Sequence, residues 1–195
     1  VSTALASTTD FQTFTRHGII FPPENKDVVL FPERIGGRFV ALHRPVGATR
    51  FTRPEIWVAE SDNLLDWGNH RPVDVPCHPW NADRVGGGCP PRPHPAGWLT
   101  IIHGAERPAV GGEVGRYRGA WMLLDRNNPS RVLHVDPIDA LTPQEPFETS
   151  GFVPHVVFPT GWVEVDGACH VFYGASDCYV GVASFQLQSA FPRQE

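Results

Sequence analysis

The sequence predicts an all-β chain, and three observations carry that prediction. Glycine (19) and proline (20) together make up one residue in five of the 195, a composition of many turns and short strands rather than long helices. No stretch of eleven or more residues carries the 3.6-residue apolar period of an amphipathic helix. A unit made of a proline, a glycine-containing turn and an alternating apolar run recurs three times.

In chain order, Val1–Ser7 reads as a strand, and Thr8–Phe14 as a turn with two aromatic anchors, Phe11 and Phe14. Pro22–Asn25 is a loop. Val28–Phe31 and Phe39–Leu42 are two apolar runs joined through a turn at Gly36-Gly37, so they read as a hairpin. Lys26 and Asp27 precede the first run, and His43 and Arg44 follow the second. A hairpin brings its outer ends together, so Lys26, His43 and Arg44 are expected to converge into one cationic cluster that needs an anion. Adjacent strand residues point to opposite faces. Lys26 and Asp27 therefore share a pocket only if the chain turns between them, and the same holds for His43 and Arg44. Arg50–Pro54 is a polar connection, and Glu55–Ser61 alternates as a half-buried strand does. It runs into Ser61–Trp67, a segment that echoes Ala6–Phe14.

The three copies of the larger unit are Phe31–His43, Pro90–Gly104 and Phe158–Gly174. Each is followed by a further apolar strand, at Ile56–Ala59, Gly119–Leu124 and Val180–Phe185. That spacing suits four-stranded blades with insertions, so the chain is expected to be a partial β-propeller of about three blades plus one strand of an earlier blade. Residues 1–195 then form a single partial domain whose N-terminal blades are absent. The chain opens on Val1 and its only methionine is Met122, which fits a fragment.

Composition excludes several classes of partner. The hydrophobic fraction of 41% is ordinary for a globular protein. A net charge of −5 gives no reason to expect nucleic acid or an anionic membrane. No apolar run approaches the ~20 residues of a membrane-spanning helix, and no signal peptide is visible. Cys77, Cys89, Cys169 and Cys178 form no C-x-x-C pair and no zinc-type cluster. They read as free thiols of a reducing compartment, hence a cytoplasmic location. Cys169 and Cys178 pair only if their Cα atoms lie within disulfide reach.

Several motifs together resemble glycoside hydrolase family 130, the β-mannoside phosphorylases and related mannosidases. They are Lys26-Asp27-x-x-Leu30-Phe31-Pro32-Glu33, Leu42-His43-Arg44-Pro45, Ile56-Trp57-x-Ala59-x-Ser61 and Val85-Gly86-Gly87-Gly88-x-Pro90-Pro91. Further on come Gly97-Trp98-Leu99-x-Ile101-x-His103-Gly104, Tyr117-x-Gly119-Ala120-x-x-Leu123-Leu124-Asp125, Gly151-Phe152-Val153-Pro154 and Tyr173-Gly174-Ala175-x-Asp177. The resemblance covers nearly the whole chain and keeps the motifs in order. His155 stands where the family usually has Asn, and Cys89 where Ala is common. The family's general acid is an Asp in a Glu-Asp-Pro-Arg-like motif of an earlier blade, and no such motif occurs here.

The resemblance implies a five-bladed propeller and inverting phosphorolysis of β-mannosides to mannose 1-phosphate, with the general acid outside this chain. Phosphate is the co-substrate and no cofactor or metal is implied. Phosphate is itself a nucleophile, so the chemistry needs one acid and a cationic anion site rather than two carboxylates. Lys26 and His43 are the preferred phosphate ligands. Arg44 belongs with them, or braces the pocket against Glu33 or Asp27. Asp177 is implied as a sugar-hydroxyl ligand, though it also suits the cap of a turn. Tyr117, between Arg116 and Arg118, reads as a site rim. His103 either lines the leaving-group side or satisfies a backbone carbonyl. Gly86–Gly88 lacks the Lys-Ser/Thr of a P-loop and reads as a place of close backbone approach. Trp57, Trp67, Trp98, Trp121 and Trp162 read as core, and Trp80 as a sugar-stacking candidate. The expected partner is an oligosaccharide, with no nucleic acid or membrane, and a homo-oligomer is left open. Two other readings stand beside this one: a β-mannosidase of the same family, and a non-catalytic carbohydrate-binding propeller.

Overall fold

The structure, a computed structural model, describes residues 1–46, 53–111, 113–138 and 141–186. Its strands are β1 (Thr3–Ser7), β2 (Thr15–Phe21), β3 (Asn25–Leu30), β4 (Phe39–Pro45), β5 (Trp57–Ser61), β6 (Trp67–Pro72), β7 (Arg84–Gly87), β8 (Arg92–His94), β9 (Gly97–Ala105), β10 (Tyr117–Leu124), β11 (Val132–Pro137), β12 (Val157–Val165), β13 (Ala168–Ala175) and β14 (Tyr179–Gln186). One helical turn, α1 (Pro146–Thr149), and a 3₁₀ turn at Pro79–Asn81 are the helices among the described residues. The chain is all-β, as expected. Most of the connection expected at Arg50–Pro54 lies outside the described residues.

Among the described residues, four antiparallel sheets follow one another along the chain. They are β1–β2, then β3–β4–β5–β6, then β7–β9–β10–β11 with β8 against β9, then β12–β13–β14. The first is a hairpin rather than the single strand expected there. β2 escaped detection because Thr15–His17 is exposed and polar and Gly18, at φ +92°, interrupts its alternation. Gly86 and Gly87, part of the Gly86–Gly88 run read as a place of close approach, lie in strand β7.

Neighbouring sheets pack face to face, and strand alternation supplies the two faces. On β4, Ala41 joins Ile20, Phe21 and Ala59 in the seam toward β1–β2. Val40 and Leu42 join Val58, Val85, Ile102 and Met122 in the seam toward β7–β11. Leu99, Ile101, Trp121, Val157, Trp162 and Val171 fill the last seam, between β7–β11 and β12–β14. The first strands β3 and β7 and the start of β12 come together along one cleft of ≈ 450 Å³, lined by Asp27–Leu30, Gly87, Gly88, Pro90, Phe158 and Thr160. Within each antiparallel pair, the start of one strand faces the end of the next. Lys26 pairs with Arg44, Gly86 with His103, and Val157 with Ala175. All candidate residues therefore collect at one rim of the stack.

Candidate anion site at the sheet rim

The site begins with an irregularity in β3. Lys26 pairs with Arg44 and Val29 with Leu42, so Asp27 and Val28 together face His43. This is a β-bulge, and Asp27 takes φ +55° to make it. The bulge is the turn that the strand-alternation argument required. It puts the Asp27 carboxylate on the same face as Arg44, which follows Val40 and Leu42 toward the next sheet. Asp27 Oδ2 lies 3.0 Å from Arg44 Nη2.

Two cross-strand rows of the third sheet complete the corner. Gly86, His103 and Gly119 form one row, and Arg84, Ala105 and Tyr117 the next. His103 is fully buried because the glycines beside it leave room for its ring. A Cβ on Gly86 would stand 2.5 Å from both Asp27 Oδ2 and His103 Cε1, so only glycine fits there. His103 Nδ1–H donates to the Gly87 carbonyl at 3.0 Å, which leaves Nε2 to accept from Arg44 Nη1 at 3.2 Å. Its ring also stacks near Tyr117, with centroids 5.9 Å apart, and packs on Phe158 from the last sheet at 4.2 Å. Burial, reinforced by Arg44, holds the His103 pKa well below the usual value, so the ring is neutral. In the second row, Arg84 and Tyr117 flank the small Ala105 and interact electrostatically across it. Arg84 Nε also binds Asp83 at 2.6 Å.

The corner thus gathers three cations, Lys26, Arg44 and Arg84, against two carboxylates, Asp27 and Asp83. Arg44 is only 2% exposed and its Nε has no protein partner. Burial raises the Asp27 pKa while Arg44 opposes the rise.

The expected convergence of Lys26, His43 and Arg44 is corrected in one member. His43 points the other way, into the seam toward β1–β2, where it stacks on Phe21 with centroids 4.7 Å apart. Asn25 Nδ2 donates to His43 Nδ1 at 2.9 Å, and Nε2 meets His70 Nδ1 at 3.1 Å. Burial, with His70 adding to it, lowers its pKa to about 4. His43 is neutral at pH 7, and both nitrogens are occupied. His103 satisfies a backbone carbonyl and lies too deep to line an open pocket. Tyr117 is half-buried at the rim, its N–H donating to the His155 carbonyl at 2.9 Å. Asp177 is exposed in the turn between β13 and β14, away from the cation corner's hydrogen bonds. Trp80 is buried against Gly104, whose added Cβ would sit 2.3 Å from the ring, so it packs rather than offering a face to sugar. Arg84 was missed by sequence reasoning. Its signal lies in the pairing of β7 with β9 and β10, which no local pattern displays.

All four cysteines are free thiols. Among the described residues, no group of three or more His, Cys, Asp or Glu is arranged to hold a metal ion.

Comparison with known proteins adds a second, independent line. A family model described as beta-1,4-mannooligosaccharide phosphorylase matches residues 1–191. The chain is 39% identical over 178 residues to the beta-1,2-mannobiose phosphorylase of Listeria innocua, covering 91% of this chain and 48% of that protein. It is 36% identical over 185 residues to a 1,2-beta-oligomannan phosphorylase of Thermoanaerobacter sp., covering 94% and 58%. The solved structure of the Listeria innocua enzyme with beta-1,2-mannobiose superposes with a TM-score of 0.87 at 36% identity, covering 97% of this chain and 52% of that one. The chain spans about half the length of the curated relatives it matches.

Proposed function

Since the chain belongs to glycoside hydrolase family 130, we propose that it supplies the phosphate-binding side of a β-mannoside phosphorylase. The observation that carries this reading is the rim corner where Lys26, Arg44 and Arg84 meet across two sheets. A hydrolase that delivers water has no use for three cations gathered at one corner of the rim. A phosphorylase must hold a dianion there, and charge-assisted hydrogen bonds from Lys and Arg do so best.

In this reading Lys26 and Arg84 reach the phosphate from the half-open side of the corner. Arg44 meets it from below through its unpartnered Nε, with neutral His103 behind. A phosphate oxygen attacks the anomeric carbon as the glycosidic C–O bond breaks. The leaving oxygen takes its proton from an acid outside this chain, and the product is the inverted α-mannose 1-phosphate. Asp177 and Tyr117 serve the mannosyl hydroxyls. His43 is left out of the phosphate site, because it faces the opposite seam with both nitrogens engaged. No cofactor is needed beyond phosphate as co-substrate. The oligosaccharide is a β-mannoside, in line with the names of the relatives. A cytoplasmic location belongs to the same proposal, because a charged sugar phosphate does not cross a bilayer and so stays with the cell that makes it.

The test incubates the full parent protein with β-1,2-mannobiose and, separately, a β-1,4-mannosyl disaccharide, each with and without inorganic phosphate. Mannose 1-phosphate that forms only with phosphate is the expected result. Free mannose released regardless of phosphate sinks the proposal and points to a mannosidase. Sugar binding without turnover points to a carbohydrate-binding propeller.

A further inference from the structure

We infer that Asp27 is a positioning residue for this anion site, acting through Arg44. The inference rests on the phosphorylase reading and deepens it. Asp27 is not disposed to touch an anion itself, since it carries the wrong charge. Several features of the fold place its carboxylate. The β3 bulge puts residue 27 at φ +55°, a conformation that L-residues other than Asn and Asp rarely adopt. Gly86 leaves open the space that Asp27 Oδ2 and the His103 ring occupy together. The carboxylate is 9% exposed and stands 3.0 Å from Arg44 Nη2 and 3.5 Å from His103 Nε2.

The consequence falls on the guanidinium. Nη1 hydrogen-bonds His103 and Nη2 is ion-paired with Asp27 Oδ2 at 3.0 Å, an oxygen that has no hydrogen-bond partner of its own, so Arg44 is held by two partners on one side. Nε, the donor left over, is buried without a protein partner. A guanidinium held this way presents a fixed donor, whereas a guanidinium without Asp27 is free to rotate or to collapse onto other acceptors. The charged groups that face Asp27 are Lys26 beside it, Arg44 on β4 and Arg84 on β7, with neutral His103 between them.

Two explanations of Asp27 predict opposite signs. As a mere negative charge near the site it weakens phosphate binding, so Asp27→Asn tightens it. As the brace of Arg44 it strengthens phosphate binding, so Asp27→Asn weakens it. The experiment measures phosphorolysis by the full parent protein at varied phosphate, for wild type, D27N, R44Q and the D27N/R44Q double variant. We expect D27N to raise the phosphate KM about tenfold, the loss of one charge-assisted contact. Turnover at saturating phosphate should stay within about threefold. In the R44Q background D27N should add nothing, because its effect passes through Arg44. An unchanged or lower KM for D27N, or additive effects in the double variant, overturns the inference. If D27N does not fold, Asp27→Glu replaces it. That change keeps every charge and moves the carboxylate by one methylene, so it too should raise the phosphate KM, and an unchanged value overturns the inference. A wild-type protein whose turnover ignores phosphate sinks the phosphorylase reading first, and this inference with it. Phosphate dependence in the wild type with an unaltered D27N variant sinks this inference alone.

Discussion

Lys26, Arg44 and His43 stand within one hairpin, yet their chemistry diverges because side chains of neighbouring strand residues leave on opposite faces. Lys26 and Arg44 were legible from the sequence as neighbours at one hairpin end, since a hairpin register pairs its ends. His43 was expected beside them from the hairpin, but the strand's alternation turns it toward the opposite seam. The alternation was visible in Val40, Leu42 and Arg44 against Ala41 and His43. What the sequence did not show is which face looks toward the cleft, because that depends on the neighbouring sheet. Replacing Lys26 by Ala should raise the phosphate KM of the parent protein by about tenfold or more, and steady-state kinetics at varied phosphate checks it. His43 makes a different prediction. Its folded pKa of about 4 lies below the usual 6.5, so the unfolded chain binds the extra proton first as pH falls. The stabilisation from keeping His43 neutral is full above pH 6.5 and is lost between pH 6.5 and about 4. The loss is on the order of 3 kcal/mol. Denaturant unfolding at pH 7 and pH 5 should show a fall in stability that is shallower in His43→Gln. Asp27, with its raised pKa, works in the opposite direction, but it is common to both proteins and cancels in the comparison. An equal slope in the two proteins would show that His43 does not carry the effect.

Among the elements, strands near the middle of each sheet announced themselves and the outer ones did not. β4 and β9 are apolar on both faces, as strands between two packed sheets must be. β6 (Trp-Gly-Asn-His-Arg-Pro) and β2 are exposed edges, so their composition matches that of loops. The three repeats were legible as recurring strand units, but the rows that cross them, such as Arg84–Ala105–Tyr117, exist only once register is fixed. The turn between β13 and β14 shows the same mixture. Tyr173-Gly-Ala-x-Asp177 marks its position, and the structure shows Ser176 at φ +49° and Asp177 at φ +51°. The Cys178 N–H returns to the Ala175 carbonyl at 3.0 Å. Two successive positive φ values are what a type I′ turn demands, and glycine satisfies the second position better than aspartate. Asp177→Gly should therefore raise stability by up to about 1 kcal/mol, seen as a melting-temperature gain of about 2 to 4 °C for a chain of this length. If Asp177 serves the sugar, the same variant should lose most of its turnover. A backbone strained for function becomes more stable and less active when relieved. A variant that is both more stable and fully active would leave Asp177 as a turn residue only.

At the scale of the molecule, the four sheets of the described residues share three apolar seams, and each inner sheet is covered on both faces. The outer face of the last sheet is not. Phe172, Val180 and Val182 lie together on it, 41%, 81% and 52% exposed, because Phe172 pairs with Val182 and Gly174 with Val180. On the opposite face of the same sheet, Val171, Tyr173 and Ala175 are buried in a seam. The contrast shows a strand built for burial on both sides and covered on one. The apolar pattern was readable along Val180–Phe185, but its exposure was not, since it depends on what packs against it. Contiguous apolar sheet surface of this kind drives association in water, and an unpaired strand edge assists it. The 195-residue chain should therefore self-associate at micromolar concentration in sedimentation velocity. Val180→Thr together with Val182→Thr keeps the β-branched shape while adding two hydroxyls to the face. It should shift the chain toward monomer and change its melting temperature little, because neither valine is in the core. Association that persists unchanged in the double variant would place the sticky surface elsewhere, with exposed Ile19 on the β1–β2 hairpin the next surface to alter.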